Sequence, residues 1–273
     1  MNRIDEKFTE LREQRRTALM PYLPLGYPTL DVSRQLIRAA ADAGADLIEL
    51  GVPFSDPLAD GPVIQHATQV ALRNGMTLAK CLEMVRRARE DDVTIPLILM
   101  GYLNPILRYG IEPFVHAAKE AGADGLIIPD LPPEEAGALE AACRVHALDL
   151  IFLAAPTSTP VRLQKIADAT RGFVYLVSVV GVTGARDQVA ADLAEFVARV
   201  RAVTTQPVCV GFGIANAESA RRVAQIADGV IVGSALASRI GDAANAVDAA
   251  REFIGELRAA IESRVSESIV ASP

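Results

Sequence analysis

Eight apolar runs alternate with eight helical patterns along this 273-residue chain, and that alternation limits the fold more than any single motif. The runs lie at 19–25, 47–50, 96–101, 122–130 (with its loop), 150–154, 172–178, 207–211 and 228–233. They recur at roughly thirty residues, the length of one strand plus its crossover helix. The phrase Ala-Gly-Ala-Asp stands at Ala43–Asp46 and again at Ala121–Asp124, with a variant, Ile-Ala-Asp-Gly, at Ile226–Gly229. Each copy marks a helix end feeding a short buried strand. Continuous rather than alternating apolarity is the mark of strands covered on both faces. A (β/α)8 TIM barrel is therefore expected, at close to its usual size of ~250 residues. A lead-in helix over 5–14 precedes it, and extra helices fall at 63–73 and 77–89. A doubly wound sheet is the competing arrangement. No linker-like shift in composition divides the chain, so 1–273 is expected to be one domain, with 264–273 a frayed tail.

Local signals add detail. Asp31 is expected to cap the helix that Gly44 stops, and Asn216 to open another. Asn104-Pro105 is expected in a loop, followed by a helix from Pro113, and 150–154 is expected as one unbroken strand.

Composition excludes several classes of function. A net charge of −7 disfavours nucleic acid and anionic membranes as partners. No apolar run is long enough to span a bilayer, and the charged amino terminus is no secretory signal. Cys81, Cys143 and Cys209 are widely separated, as in a reduced cytoplasmic protein. The four lysines (Lys7, Lys80, Lys119, Lys165) and three histidines (His66, His116, His146) all fall in helical patterns. That argues against a Schiff-base lysine and against a metal centre.

In such a barrel the chemistry belongs at the carboxyl ends of the strands. Glu49 interrupts the second apolar run, where an acid is costly unless bonded or protonated. The loop after it, rigid with proline and glycine, carries Asp56 and Asp60. Asp130 follows strand four, Tyr22 lies in strand one and Tyr175 in strand six. Glycines cluster late: Gly181 and Gly184, then Gly211-Phe-Gly213, then Gly233-Ser234 opening a helix. Backbone N–H groups in such turns form a phosphate seat, often after strands seven and eight of a barrel. Cofactor-free carboxylate acid–base chemistry on a phosphorylated substrate is what remains. Burial is expected to raise the Glu49 pKa, while Asp60, in a wetter loop, stays ionised.

The stretch Glu49-Leu-Gly-Val-Pro-Phe-Ser-Asp-Pro-Leu-Ala-Asp60-Gly-Pro closely resembles the signature of the tryptophan synthase alpha chain family. Gly181-Val-Thr-Gly184, Gly211-Phe-Gly-Ile214 and Gly233-Ser234 follow in the family's order, so that the likeness runs from about 8 to 261. The resemblance implies a lyase cleaving indole-3-glycerol phosphate to indole and glyceraldehyde 3-phosphate. It implies Glu49 as general acid/base, Asp60 as acceptor of the indole N–H, and Tyr175 as holder of Glu49. Gly184, Gly213, Gly233 and Ser234 would seat the phosphate, and Thr183 would close over the site. Tyr22, Met100, Ile127 and Phe212 would line the indole slot. Tyr22 and Met100 stand where the family often has Phe or Leu, and Val179 where some relatives have Arg. The implied partner is a beta chain carrying pyridoxal phosphate in an α2β2 complex, docking over Pro53, Asp56, Asn104 and Pro132. No cofactor is implied for this chain.

Plainer readings exist for the same residues. Glu49 could bridge to an arginine, Asp60 could cap the helix at Pro62, and Tyr175 could be a core tyrosine. Asp130, before Leu-Pro-Pro, reads better as a cap than as a catalyst. For the whole chain the alternatives are a sugar-phosphate isomerase or epimerase, or a non-catalytic barrel kept as an allosteric partner.

Overall fold

The computed structural model describes residues 2–177, 186–211 and 213–263, with the backbone alone for 186–191. Nine strands run β1 Ala18–Pro24, β2 Ile48–Gly51, β3 Leu97–Met100, β4 Gly125–Ile127, β5 Asp149–Ile151, β6 Leu153–Ala154, β7 Val174–Leu176, β8 Val208–Val210 and β9 Gly229–Val232. All recorded pairings are parallel, in the order β5-β4-β3-β2-β1-β9-β8-β7-β6. The fifth apolar run is thus two short strands parted at Phe152, not one. The first half pairs with β4 and the second with β7, so the covalent chain closes the barrel there.

The helices begin with α1 Arg3–Glu13, α2 Leu30–Asp42, α3 Pro62–Arg73, α4 Leu78–Glu90, α5 Leu103–Tyr109 and α6 Ile111–Ala121. They continue with α7 Gly137–Val145, α8 Pro160–Ala169, α9 Arg186–Arg201, α10 Ala217–Ala224, α11 Ser234–Asp242 and α12 Ala246–Glu262. Two local expectations need correction. Thr29, not Asp31, caps α2, its hydroxyl accepting from the Val32 N–H; Asp31 sits one residue inside, where a carboxylate still favours the helix dipole. Asn104 and Pro105 are not loop but the second and third residues of α5. The first turn of a helix needs no N–H from those positions, so proline fits there.

Two apolar layers hold the structure. The outer one packs the amphipathic helices on the sheet. The inner one fills the barrel with Met20, Leu47, Ile98, Ile127, Ile151, Phe173, Tyr175, Cys209 and Ile231. Helix α1 stops the amino-terminal end of the barrel with Ile4, Phe8 and Leu11, and the Phe8 and Phe173 rings lie 5.8 Å apart.

The recurring aspartates have one job. Asp46, Asp124 and Asp228 each stand just before a strand and accept the N–H of the neighbouring strand's start: Leu19, Leu97 and Val208, all at 2.9 Å. Each also donates its own N–H to the carbonyl of that same residue. An arginine completes each clamp: Arg258 at 2.7 Å, Arg89 at 2.6 Å and Arg201 at 3.0 Å. The repeated phrase is a device for fixing register between adjacent parallel strands.

Candidate active site

At the carboxyl end of the strands a cavity of about 420 Å³ opens. Its lining includes Tyr22, Asp60, Met100, Tyr175, Gly213, Gly233 and Ser234, so seven residues singled out from the sequence meet at one place. Leu153, Val177, Ile214 and Ile231 add apolar wall. Ile127 is buried within the barrel and is not part of that lining. Thr183, Gly184, Phe212, Val179 and Gly181 lie outside the described residues.

The parallel register sets Tyr22 beside Glu49 and Glu49 beside Ile98, which turns the acid inward. Glu49 is fully buried, and neither carboxyl oxygen has a hydrogen-bond partner among the described residues. Among the described residues, no arginine bridges to it as the plainer reading would have it. Burial, and secondarily the charge of Asp60, pushes the Glu49 carboxyl up to about 8. Its charge in turn acts on the buried Tyr175 and Tyr22 hydroxyls, whose pKa values burial raises.

Glycines make room for these tyrosines. A Cβ on Gly51, at the end of β2, would collide with the Tyr22 hydroxyl, and one on Gly211 with the Tyr175 hydroxyl. Strand-end glycines here leave space for neighbouring side chains as well as turning the chain.

Asp60 is not the cap of α3, since Gly61 holds that position without any side-chain bond. The loop is also drier than the sequence suggests. Burial raises the Asp60 carboxyl to about 6, and a hydrogen bond from Tyr102 offsets part of the rise. Tyr102 is the residue that sequence reasoning missed. Its hydroxyl accepts the Ala59 N–H at 3.0 Å, and its ring lies 5.5 Å from that of Phe54. The available signal was position: Tyr102 directly follows the third apolar run, at the end of the barrel where a polar aromatic reaches the site. Asp130 does prove to be a cap, with both oxygens accepting the Leu103 N–H of α5 at 3.0 and 3.3 Å.

On the far side of β1 from Glu49, Gly233 opens α11 without a side-chain cap, and the first N–H used within the helix is that of Ala237. The N–H groups of Ser234, Ala235 and Leu236 are thus left for an anion, with the helix dipole behind them. Gly213, at φ +79°, turns the chain beside them in a conformation that favours glycine. The cavity therefore brings together Asp60, an apolar wall and the start of α11, while Glu49, fully buried, is not itself among the lining residues.

The family model for the tryptophan synthase alpha chain matches residues 8–263. The chain belongs to the tryptophan synthase alpha chain family. It is 50% identical over 264 residues to the tryptophan synthase alpha chain of Chloroflexus aggregans, covering 96% of this chain and 99% of that one. The corresponding figure for Geobacter sulfurreducens is 48%, again over 96% of this chain and 99% of the relative. Among solved structures, the alpha subunit from Legionella pneumophila superposes with a TM-score of 0.91 at 40% identity, covering 96% of this chain and 99% of that one. As a member of this family the chain is a carbon–carbon lyase of tryptophan biosynthesis, cleaving indole-3-glycerol phosphate to indole and glyceraldehyde 3-phosphate. No helix of the described residues is long and apolar enough to cross a membrane.

Proposed function

We propose that Glu49 and Asp60 divide the cleavage between them, and that the buried Glu49 carboxyl, without a hydrogen-bond partner among the described residues, is the observation that carries this reading. Breaking the bond between indole C3 and the glycerol carbon needs a proton on C3, so that C3 can leave with the bonding pair. With its pKa near 8, Glu49 holds that proton at neutral pH. Protonated C3 puts positive charge on the ring nitrogen. Asp60, ionised above about pH 6, accepts the ring N–H and stabilises that charge. Glu49, now a carboxylate, removes the proton of the glycerol hydroxyl; the C–C bond breaks, the aldehyde forms and indole regains aromaticity. Two carboxylates with pKa values set apart by their surroundings suit this division of acid and base.

Tyr175 beside Glu49 restricts where the acid can point. Tyr22 and Met100 flank the ring, with Ile127 and Phe212 assigned to the same slot by resemblance. The phosphate is assigned to Gly213, Gly233 and Ser234, with Gly184 and the Thr183 loop added by resemblance. The partner is a beta chain, with the α2β2 assembly and its pyridoxal phosphate assigned to that chain. In support, all four lysines of this chain lie on helices and none lines the cavity. For docking we assign the rim at Pro53, Asp56, Asn104 and Pro132. Asp56 and Asn104 are exposed, and Leu58 and Leu107 from the same two segments expose 91% and 53% of their surface. Such apolar exposure at a cavity mouth suits a protein partner.

The test is indole release from indole-3-glycerol phosphate, by the chain alone and with a beta chain added. Slow release that rises with the partner is the expected result, and Glu49→Gln should lower kcat by roughly 10²–10⁴-fold. A folded chain that releases no indole in either condition would end the reading. Asp56→Ala is expected to weaken the partner's activation; unchanged affinity and activation would place the docking surface elsewhere.

A further inference from the structure

We propose that Tyr102 is a positioning residue for the cleavage, its hydroxyl orienting Asp60 and tying that carboxylate to the rim on which a partner docks. This rests on the role given to Asp60 above.

The geometry begins with a helix that does not use its own cap. Tyr102 occupies the N-cap of α5 in extended backbone, yet makes no side-chain bond to the helix. Asp130, from the loop after β4, supplies that bond instead. Relieved of the task, the Tyr102 side chain crosses to the loop after β2 and is buried against Phe54. There its hydroxyl accepts the Ala59 N–H. A phenol has one proton to give, and with the Ala59 N–H on its oxygen that proton is left for the adjacent carboxylate of Asp60. Asp60 is meanwhile held from behind by its own N–H on the Pro57 carbonyl, in a tight turn whose preceding N–H, that of Leu58, bonds to the Asp56 carbonyl.

Tyr102 is therefore the joint of three rim segments: the 53–60 loop through Phe54 and Ala59, the start of α5 through its own backbone, and the loop after β4 through Asp130. A displacement of either of the last two reaches Asp60 through one hydroxyl. The ionisable groups facing Asp60 are Glu49 from β2, Tyr22 from β1, Tyr175 from β7 and Tyr102 itself, with Asp130 acting on Tyr102 from the far side. Among these, the Tyr102 hydroxyl, held on the N–H of Ala59 next to Asp60 in the chain, is the group whose hydrogen bonding favours the ionised Asp60 carboxylate.

Tyr102→Phe keeps the ring against Phe54 and deletes only the hydroxyl. Two readouts separate positioning from packing. The first is the titration of Asp60, followed by carboxyl 13C NMR in the wild-type chain and the variant; loss of the donor should raise its midpoint by about one pH unit. The second is the pH profile of indole release. The acid limb should move to higher pH by the same amount, and kcat on the plateau should fall roughly 10- to 100-fold, with KM little changed. An Asp60 midpoint and acid limb both unmoved in folded Tyr102→Phe would overturn the proposal. Should that variant fail to fold, Asp130→Ala, which loosens the start of α5, is expected to shift the same midpoint in the same direction by less; no shift there would equally overturn it. The NMR titration needs no turnover. If wild-type chain releases no indole while Asp60 still responds to Tyr102, the lyase assignment of these residues fails and the coupling stands.

Discussion

Glu49 makes the protein less stable in order to be reactive. Its carboxyl is pushed from an ordinary 4.5 to about 8, and that of Asp60 from 3.8 to about 6, both chiefly by burial. A carboxyl raised on folding favours the folded state while it is protonated, and that contribution is lost as pH climbs through the raised value. For Glu49 the loss runs from about pH 4.5 to 8, and for Asp60 from about 3.8 to 6. Glu49→Gln, which cannot ionise, should match the wild-type chain in urea unfolding at pH 4.5. At pH 8.5 it should exceed it by on the order of 2–5 kcal/mol. The same values predict a bell-shaped pH dependence of kcat/KM for indole release, with limbs near 6 and 8 that belong to the coupled pair. A flat profile from pH 5 to 9 would contradict it. Glu49 was legible in the sequence as a buried acid because a carboxylate inside an apolar run lies in a strand covered on both faces. The dryness around Asp60 was not, since it depends on Tyr102 and Tyr22, brought from two other loop and strand segments.

Among the elements, the aspartate clamps show what repetition in sequence can and cannot disclose. Ala-Gly-Ala-Asp was visible as a repeat, and its place before a strand could be read. Its partner could not: the clamped N–H lies 27 residues upstream of Asp46 and of Asp124, and Arg258 lies 212 residues from Asp46. The clamps should differ in strength by burial. Asp124→Ala leaves Arg89, 15% exposed, without its carboxylate and frees the Leu97 N–H. A cost of about 3–5 kcal/mol is expected. Asp228→Ala breaks a pair whose side chains are 37% and 45% exposed and frees the Val208 N–H, and about 1–3 kcal/mol is expected. Denaturant midpoints of the two variants, compared side by side, decide the order. Helix α5 teaches the opposite lesson. Proline at 105 reads as a breaker in one dimension, but in a first turn it costs nothing, and the cap that starts the helix comes from Asp130 across the mouth of the barrel.

At the scale of the whole molecule, the eightfold alternation fixed the barrel before any motif was considered, because eight doubly buried strands joined by helices leave few other arrangements. The lead-in helix was legible as amphipathic, but its use as a floor under the barrel was not. Phe8, 5% exposed, sits in that floor at the far end from the acids. Phe8→Ala should therefore cost about 3–5 kcal/mol in stability, with kcat at 25 °C unchanged, which thermal unfolding and steady-state rates would check together. The break at Phe152 has a further consequence for the barrel wall. Beyond Ile127 and Ile151 the ladder between β4 and β5 stops, while β6 continues upward bonded only to β7. Pro129 and Leu153 face the cavity on either side of this unladdered stretch. The wall there has the geometry of a slit in a cylinder, two neighbouring edges held by their own segments with no paired strand residues joining them.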